Sequence, residues 1–146
     1  MSALREESGP EASRAPAALW PAEAPRARPG LSQGRGRGLF AVSALAPGDV
    51  VERACTVPIG ADQAPVLDRM HPLGDFYFAH PLDAKAGLMV LGHASLINHS
   101  DAPNADVRFV ETALGYVCEL VALAPIAPGE EITYRYRCPL WFETAA

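Results

Sequence analysis

Long apolar runs are missing from this chain. Stretches such as Leu88 to Leu91 and Leu120 to Ala124 fall far short of the roughly 20 residues a helix needs to cross a bilayer. A helical transmembrane protein is excluded, and no membrane partner is expected. Cysteine is scarce as well. Cys55, Cys118 and Cys138 are odd in number, widely spaced and free of any C-x-x-C pair, which argues against a disulfide scaffold and against a cysteine-built zinc site; no metal is expected. The first 30 residues hold no apolar stretch of about 7–15 residues, the mark of a secretory signal, and their acids fit a transit peptide poorly. The expected location is cytoplasmic. Lysine is almost absent: of the 12 basic residues only Lys85 is one, which beside the abundant alanine reads as codon bias rather than function.

An excess of positive charge is lacking too. The net charge is −5, and residues 1–30 contribute nothing to it, because Glu6, Glu7, Glu11 and Glu23 balance Arg5, Arg14, Arg26 and Arg28. The acidic body argues against direct nucleic-acid binding, which depends on phosphate neutralisation by Lys and Arg. It suits a cationic substrate, such as a basic protein.

What the chain does hold is ordinary globular usage, 49% hydrophobic and 20% charged over 146 residues, with 14 Pro and 12 Gly. That composition predicts one domain of short strands and loops. Residues 1–30 carry large apolar side chains only at Leu4, Leu19 and Trp20. They bury too little to offset their ordering entropy, so a disordered Ala/Pro/Arg-rich tail is expected, with the folded domain spanning 31–146.

Strands are predicted at Leu39–Val42, Asp49–Val57, Phe76–Ala79, Leu88–Leu91, Asp106–Val110, Tyr116–Leu123 and Ile132–Tyr136. Thr112 to Gly115 closes a hairpin. Ala61–Met70 is the best helix candidate, kept short by Pro65. Two nearly identical phrases, Leu45-Ala46-Pro47-Gly48-Asp49 and Ile126-Ala127-Pro128-Gly129-Glu130, read as type II turns with glycine at positive φ. The fold class is mainly β with a few short helices, and the missing βαβ rhythm excludes a Rossmann fold.

Three patches carry chemistry. In Gly34-Arg35-Gly36-Arg37-Gly38-Leu39-Phe40, alternating glycines let a ligand approach the backbone closely; a flexible lead into a strand or an Arg-Gly RNA-binding tail are the competing readings. Asn98-His99-Ser100-Asp101-Ala102-Pro103-Asn104 supplies fixed donors and acceptors able to read a heterocycle, or a polar turn. In Gly129-Glu130-Glu131-Ile132-Thr133-Tyr134-Arg135-Tyr136, alternation puts Ile132, Tyr134 and Tyr136 on one strand face, where two tyrosines could equally be core packing.

Together and in this order the three patches resemble the SET-domain family of protein lysine methyltransferases: a G-x-G before a small apolar strand, then N-H-S-x-x-P-N, then G-E-E-[IL]-T-x-x-Y. The resemblance covers residues 31 to about 142. It implies a fold of small β-sheets in which the C-terminal segment threads an earlier loop as a pseudoknot, an exception to the rule against threading, with Asn98–Asn104 and Glu131–Tyr136 forming the crossing.

By the same resemblance the cofactor is S-adenosyl-L-methionine. Gly36, Arg37, Gly38 and Leu39 lie against it through backbone; Asn98 and His99 hold it, His99 largely by its main chain; Trp141, with Phe142, is available to close its pocket. Tyr136 is the catalytic tyrosine, and Tyr134 with Tyr77 or Phe78 walls the channel of the substrate lysine. The implied partner is a protein with an accessible lysine. The chain departs from the family pattern in having no flanking cysteine clusters, Arg135 in place of the usual acid and Asp101 in place of a frequent cysteine. A catalytically inactive SET-like module that binds a protein or the cofactor is the other function class.

Overall fold

The computed structural model describes residues 18–136; Cys138, Trp141 and Phe142 lie outside them. Two small sheets carry the fold. The first has strand order β1-β2-β9-β6, built from β1 (Ala27–Ser32), β2 (Gly36–Ala41), β6 (Asn98–His99) and β9 (Glu131–Tyr134). The second has order β4-β5-β3-β8-β7, from β3 (Val50–Ile59), β4 (Tyr77–Ala79), β5 (Gly87–Val90), β7 (Ala105–Thr112) and β8 (Gly115–Ala122). One apolar cluster includes side chains from both sheets, and Leu39, Leu120, Ile126 and Ile132 within it are almost wholly inaccessible. The sequence-predicted strands are all present, with ends shifted by a few residues. Helix α1 is shorter than expected, Ala64–Asp68, because Pro65 fits only its first turn and the preceding residues form a turn closed by Ala64 N–H donating to Gly60 O (2.9 Å).

The two Ala-Pro-Gly turns do more than end strands. Gly48 and Gly129 take φ +89° and +82°, as a type II turn requires. Leu45 and Ile126 exchange backbone hydrogen bonds of 2.9 and 3.0 Å. Gly48 N–H donates to Ala122 O and Gly129 N–H to Ala41 O, each at 2.8 Å. The paired positions keep one offset along the chain, so the two turns face each other across an approximate two-fold axis and lock the exit of β2 to the exit of β8.

Strand β1 corrects the expected boundary at residue 31. It pairs with β2 from Ala27↔Ala41 to Ser32↔Gly36, so the folded domain reaches into the segment assigned to the tail. Composition concealed it because the stability comes from the partner strand. Pro29 is tolerated on the sheet edge, and Gly30 lies flat under Phe40, whose ring stands 2.8 Å from where a Cβ would be. Arg26 and Glu23 add ion pairs to Asp49 (3.8 Å) and Arg53 (3.6 Å). A chain starting at Leu31 loses most of β1, and its thermal unfolding midpoint should fall by about 5 °C or more, the shift that roughly 1–2 kcal/mol produces in a domain of this size. An unchanged midpoint in calorimetry would restore the boundary at 31.

On the second sheet Glu119 sits between two arginines, accepting from Arg53 Nε and Arg108 Nε at 2.8 Å each across the register Arg53↔Glu119↔Arg108. Burial pushes its carboxyl up, but the hydrogen bonds and charges of the two guanidinium groups outweigh it and hold Glu119 below the ordinary carboxylate range. A carboxyl depressed in the folded state stabilises above its unfolded pKa, and the contribution disappears as pH falls through the folded value. Glu119→Gln should therefore cost about 1 kcal/mol at pH 7. The gap from wild type should close on acidification below the usual carboxylate range, as urea titrations at both pH values would show. Its neighbour Cys118 is pushed up to about 12, chiefly by burial and then by the charges of Glu52 and Glu119, so at neutral pH it is a packed thiol rather than a nucleophile.

Candidate active site

Strand β9 enters the first sheet between β2 and β6. Against β2 it is antiparallel, with Leu39↔Ile132 and Phe40↔Glu131. Against β6 it is parallel, with Asn98↔Thr133 and His99↔Tyr134. The loop after β6 closes over it: Asn104 donates through Nδ2 to Glu131 O (2.8 Å) and accepts from Thr133 N–H (2.9 Å), so one amide side chain does the work of a further strand. Ser100 N–H donates to Tyr134 O at 2.9 Å. These contacts join the two segments that the family resemblance places at the C-terminal crossing.

The ladder between β2 and β9 begins only at Leu39, so on that side Arg37 and Gly38 face the Asn98 side chain. Asn98 Nδ2 donates to Arg37 O (2.9 Å) and to Glu131 Oε1 (2.8 Å). A Cβ on Gly38 would strike the Glu131 carboxylate and lie 3.0 Å from Asn98 Nδ2, so a side chain there would have to displace the hydrogen-bonded Glu131. Gly36 has φ +74° and open space where a Cβ would stand. Leu39 turns its side chain fully into the core.

Glu131 is the hub of this cluster, and the sequence reading gave it no role beyond opening the crossing segment. Its Oε2 accepts from Ser32 Oγ (3.0 Å) and from Arg35 Nη2 (2.9 Å), while Arg35 Nη1 donates to His99 O (3.0 Å). Arg35 Nε is buried with no hydrogen-bond partner among the described residues. Ser32 of β1, Arg35 of the β1–β2 turn, Asn98 of β6 and Glu131 of β9 thus meet at one point, and Asn98 also holds Arg37 O of β2. The only signal in the sequence was a charged residue inside a glycine cluster, which reads equally as a flexible lead.

The aromatic residues gather on the other side of β9. Tyr134 is buried, and Phe78 packs edge-on against it at 5.8 Å and against Phe109 at 5.9 Å. Tyr136 lies 6.0 Å from Tyr134 and 5.2 Å from His99, ring to ring; its hydroxyl donates to Ile97 O at 2.8 Å. Tyr134, Phe78 and Tyr136 are therefore brought together as the sequence reading expects, and Phe109 joins them unforeseen. Tyr77 is not brought there. Alternation sends it to the opposite face of β4, where its hydroxyl donates to Asp68 Oδ1 at 2.5 Å. Arg37 lies over Phe76 at 6.0 Å. Among the described residues no cluster of three or more His, Cys, Asp and Glu could hold a metal, and no helix is long and apolar enough to cross a membrane.

Comparison with known proteins agrees with this geometry. The SET-domain family model matches residues 36–137, well over half the sequence, and the chain belongs to the SET-domain family. A crystal structure of a Plasmodium falciparum protein named as a candidate histone methyltransferase is similar to it at 25% identity and TM-score 0.63, over 82% of this chain and 100% of that one. Polycomb Repressive Complex 2 of Chaetomium thermophilum, bound to the compound GSK126, aligns at 23% identity and TM-score 0.64. The same complex, in an autoinhibited conformation bound to S-adenosylmethionine, aligns at 20% and 0.66. Both of these show the fold alone, covering 79% of this chain but only 16% and 15% of the Polycomb chains. No curated protein matches.

Proposed function

We propose that this chain transfers a methyl group from S-adenosyl-L-methionine to the side-chain amine of a lysine in a protein substrate. The observation that carries the reading is the position of Tyr136, joined to the Asn98 side of the cleft through His99 and Ile97 and ring to ring with Tyr134 on the aromatic side. The cofactor fits the residues present. Asn98 holds Arg37 O next to the side-chain-free backbone of Gly38, and at Gly36 open space stands where a side chain would be. When bound, it supplies an activated methyl on a sulfonium.

The chain's own contribution is alignment and dryness. Attack on that methyl must be in line, so orientation of the amine provides much of the acceleration. The amine must also be neutral, and deprotonating a lysine of pKa ~10.4 at pH 7 costs about 4–5 kcal/mol. A channel walled by Phe78, Phe109 and Tyr134 disfavours the ammonium form and lowers that cost. The Tyr136 hydroxyl orients the amine, and weak C–H···O contacts to the methyl are available to it. The acidic body suits a basic protein as substrate.

The test is incubation with isotopically labelled cofactor and a mixture of proteins, read by mass spectrometry for methyl-lysine. Labelled lysine is the expected result; bound cofactor with no transfer would identify a binding module instead. Asn98→Ala removes the donor to Arg37 O and Glu131, and leaving such groups short costs about 1–3 kcal/mol. Calorimetric titration should show S-adenosylmethionine affinity lower by roughly fivefold to a hundredfold. Equal affinities would contradict the cofactor assignment.

A further inference from the structure

The imidazole of His99 is almost completely buried, with a side chain 4% exposed, and both ring nitrogens are engaged. Nδ1 accepts the backbone N–H of Tyr136 at 2.9 Å. Nε2 lies 3.0 Å from Asp101 Oδ1. The Tyr136 amide can only donate, so Nδ1 must carry a lone pair, which places the ring proton on Nε2, where it donates to the carboxylate. The two partners demand the same neutral tautomer. A second proton would sit on Nδ1 and meet the Tyr136 N–H head-on.

We infer that the His99 side chain is a positioning residue that fixes the backbone of Tyr136, with Asp101 selecting the tautomer. The inference rests on the function proposed above. Tyr136 follows the end of β9 by two residues, beyond the last pairing of the parallel ladder, His99↔Tyr134. The imidazole therefore carries the alignment of β6 and β9 one step further along the chain. The Tyr136 hydroxyl bond to Ile97 O and the His99–Tyr136 ring contact complete a three-point attachment. The charged groups around the pair hold its frame: Arg35 donates to His99 O, and Arg135 donates to Asp101 O. A turn of about 1 Å in Tyr136 would misplace its hydroxyl, an error of the size that costs about a hundredfold in an aligned displacement.

The experiment uses the two amide replacements that imitate one ring nitrogen each. Asparagine at 99 places an acceptor near the Nδ1 position; glutamine places its amide near Nε2 and leaves the Tyr136 N–H without its partner. Hydrogen exchange of the Tyr136 amide should be at least tenfold faster in His99→Gln than in wild type and close to wild type in His99→Asn. Turnover at saturating cofactor should follow the same order, while the dissociation constant for cofactor changes less than turnover does. In Asp101→Ala the ¹⁵N signals of His99 should lose the pure Nε2–H pattern, and Asp101→Asn should restore it.

Equal Tyr136 exchange in His99→Asn, His99→Gln and wild type overturns the inference, as does exchange that changes while turnover does not. If no form methylates any lysine, the proposed function fails, while the exchange and nitrogen spectra still decide whether His99 holds Tyr136.

Discussion

Tyr136→Phe should lower turnover at least about tenfold, equivalent to ~1.4 kcal/mol of transition-state stabilisation, while cofactor affinity stays within about twofold. The change removes one oxygen and keeps the ring, so the contacts with His99 and Tyr134 persist. The hydroxyl donates to Ile97 O, a bond whose loss costs folding about 1 kcal/mol. That bond sits on the ordered end of β6 and fixes the direction of the hydroxyl before any substrate arrives. Steady-state assays over a range of cofactor concentrations separate the two effects. Wild-type turnover should also rise with pH through the neutral range, because more of the substrate lysine is then neutral. A mutant as fast as wild type would make Tyr136 a packing residue and remove the catalytic assignment.

Glu131→Ala should be the most destabilising single change in the cleft. The carboxylate is 16% exposed and accepts from Ser32, Arg35 and Asn98 at once. Removing it leaves the Arg35 guanidinium partly buried beside an empty space and takes away the side-chain links from β9 to Ser32 of β1 and Asn98 of β6. Breaking one side of a buried pair costs about 3–5 kcal/mol, and the partial exposure of Arg35 places the expectation near the lower figure. An unfolding midpoint lower by roughly 10 °C follows for a domain of this size. Glu131→Gln keeps the shape and one acceptor oxygen, so it should lose less. Thermal or urea unfolding of both variants decides the point, and an Ala variant as stable as wild type would remove Glu131 from its place as hub.

The local pattern carried the strands and turns because their causes are local. Period-two alternation marks Tyr116–Leu123, and Pro-Gly at fixed positions marks both type II turns. The family, too, was legible, since its three motifs are short and contiguous. Strand β1 was not, because its stability comes from Phe40 and the rest of β2 rather than from its own Ala-Arg-Pro-Gly composition. The hub was illegible for a related reason: Ser32, Arg35 and Glu131 are brought together over almost the whole described chain, and no window of sequence contains both partners. Asn104 was visible as a motif residue, but its work on both sides of β9 depends on the crossing itself. Tyr77 and Phe78 are adjacent and equally aromatic, and only the register Phe78↔Leu88 decides which one faces Tyr134.

The insertion of β9 between β2 and β6 also imposes an order of events on biosynthesis. The strands that flank the gap emerge from the ribosome well before the strand that fills it. Until Glu131–Tyr134 has been made, β2 has no neighbour on that side, β6 has nothing to pair with, and neither Tyr136 nor the Glu131 hub exists. Eleven of the twelve helices and strands among the described residues precede β9 in the chain. The pairing that completes the domain spans nearly a hundred residues, the kind of non-local closure that folds slowly. On the function proposed here, a copy terminated before Glu131 would lack the strand that leads into Tyr136.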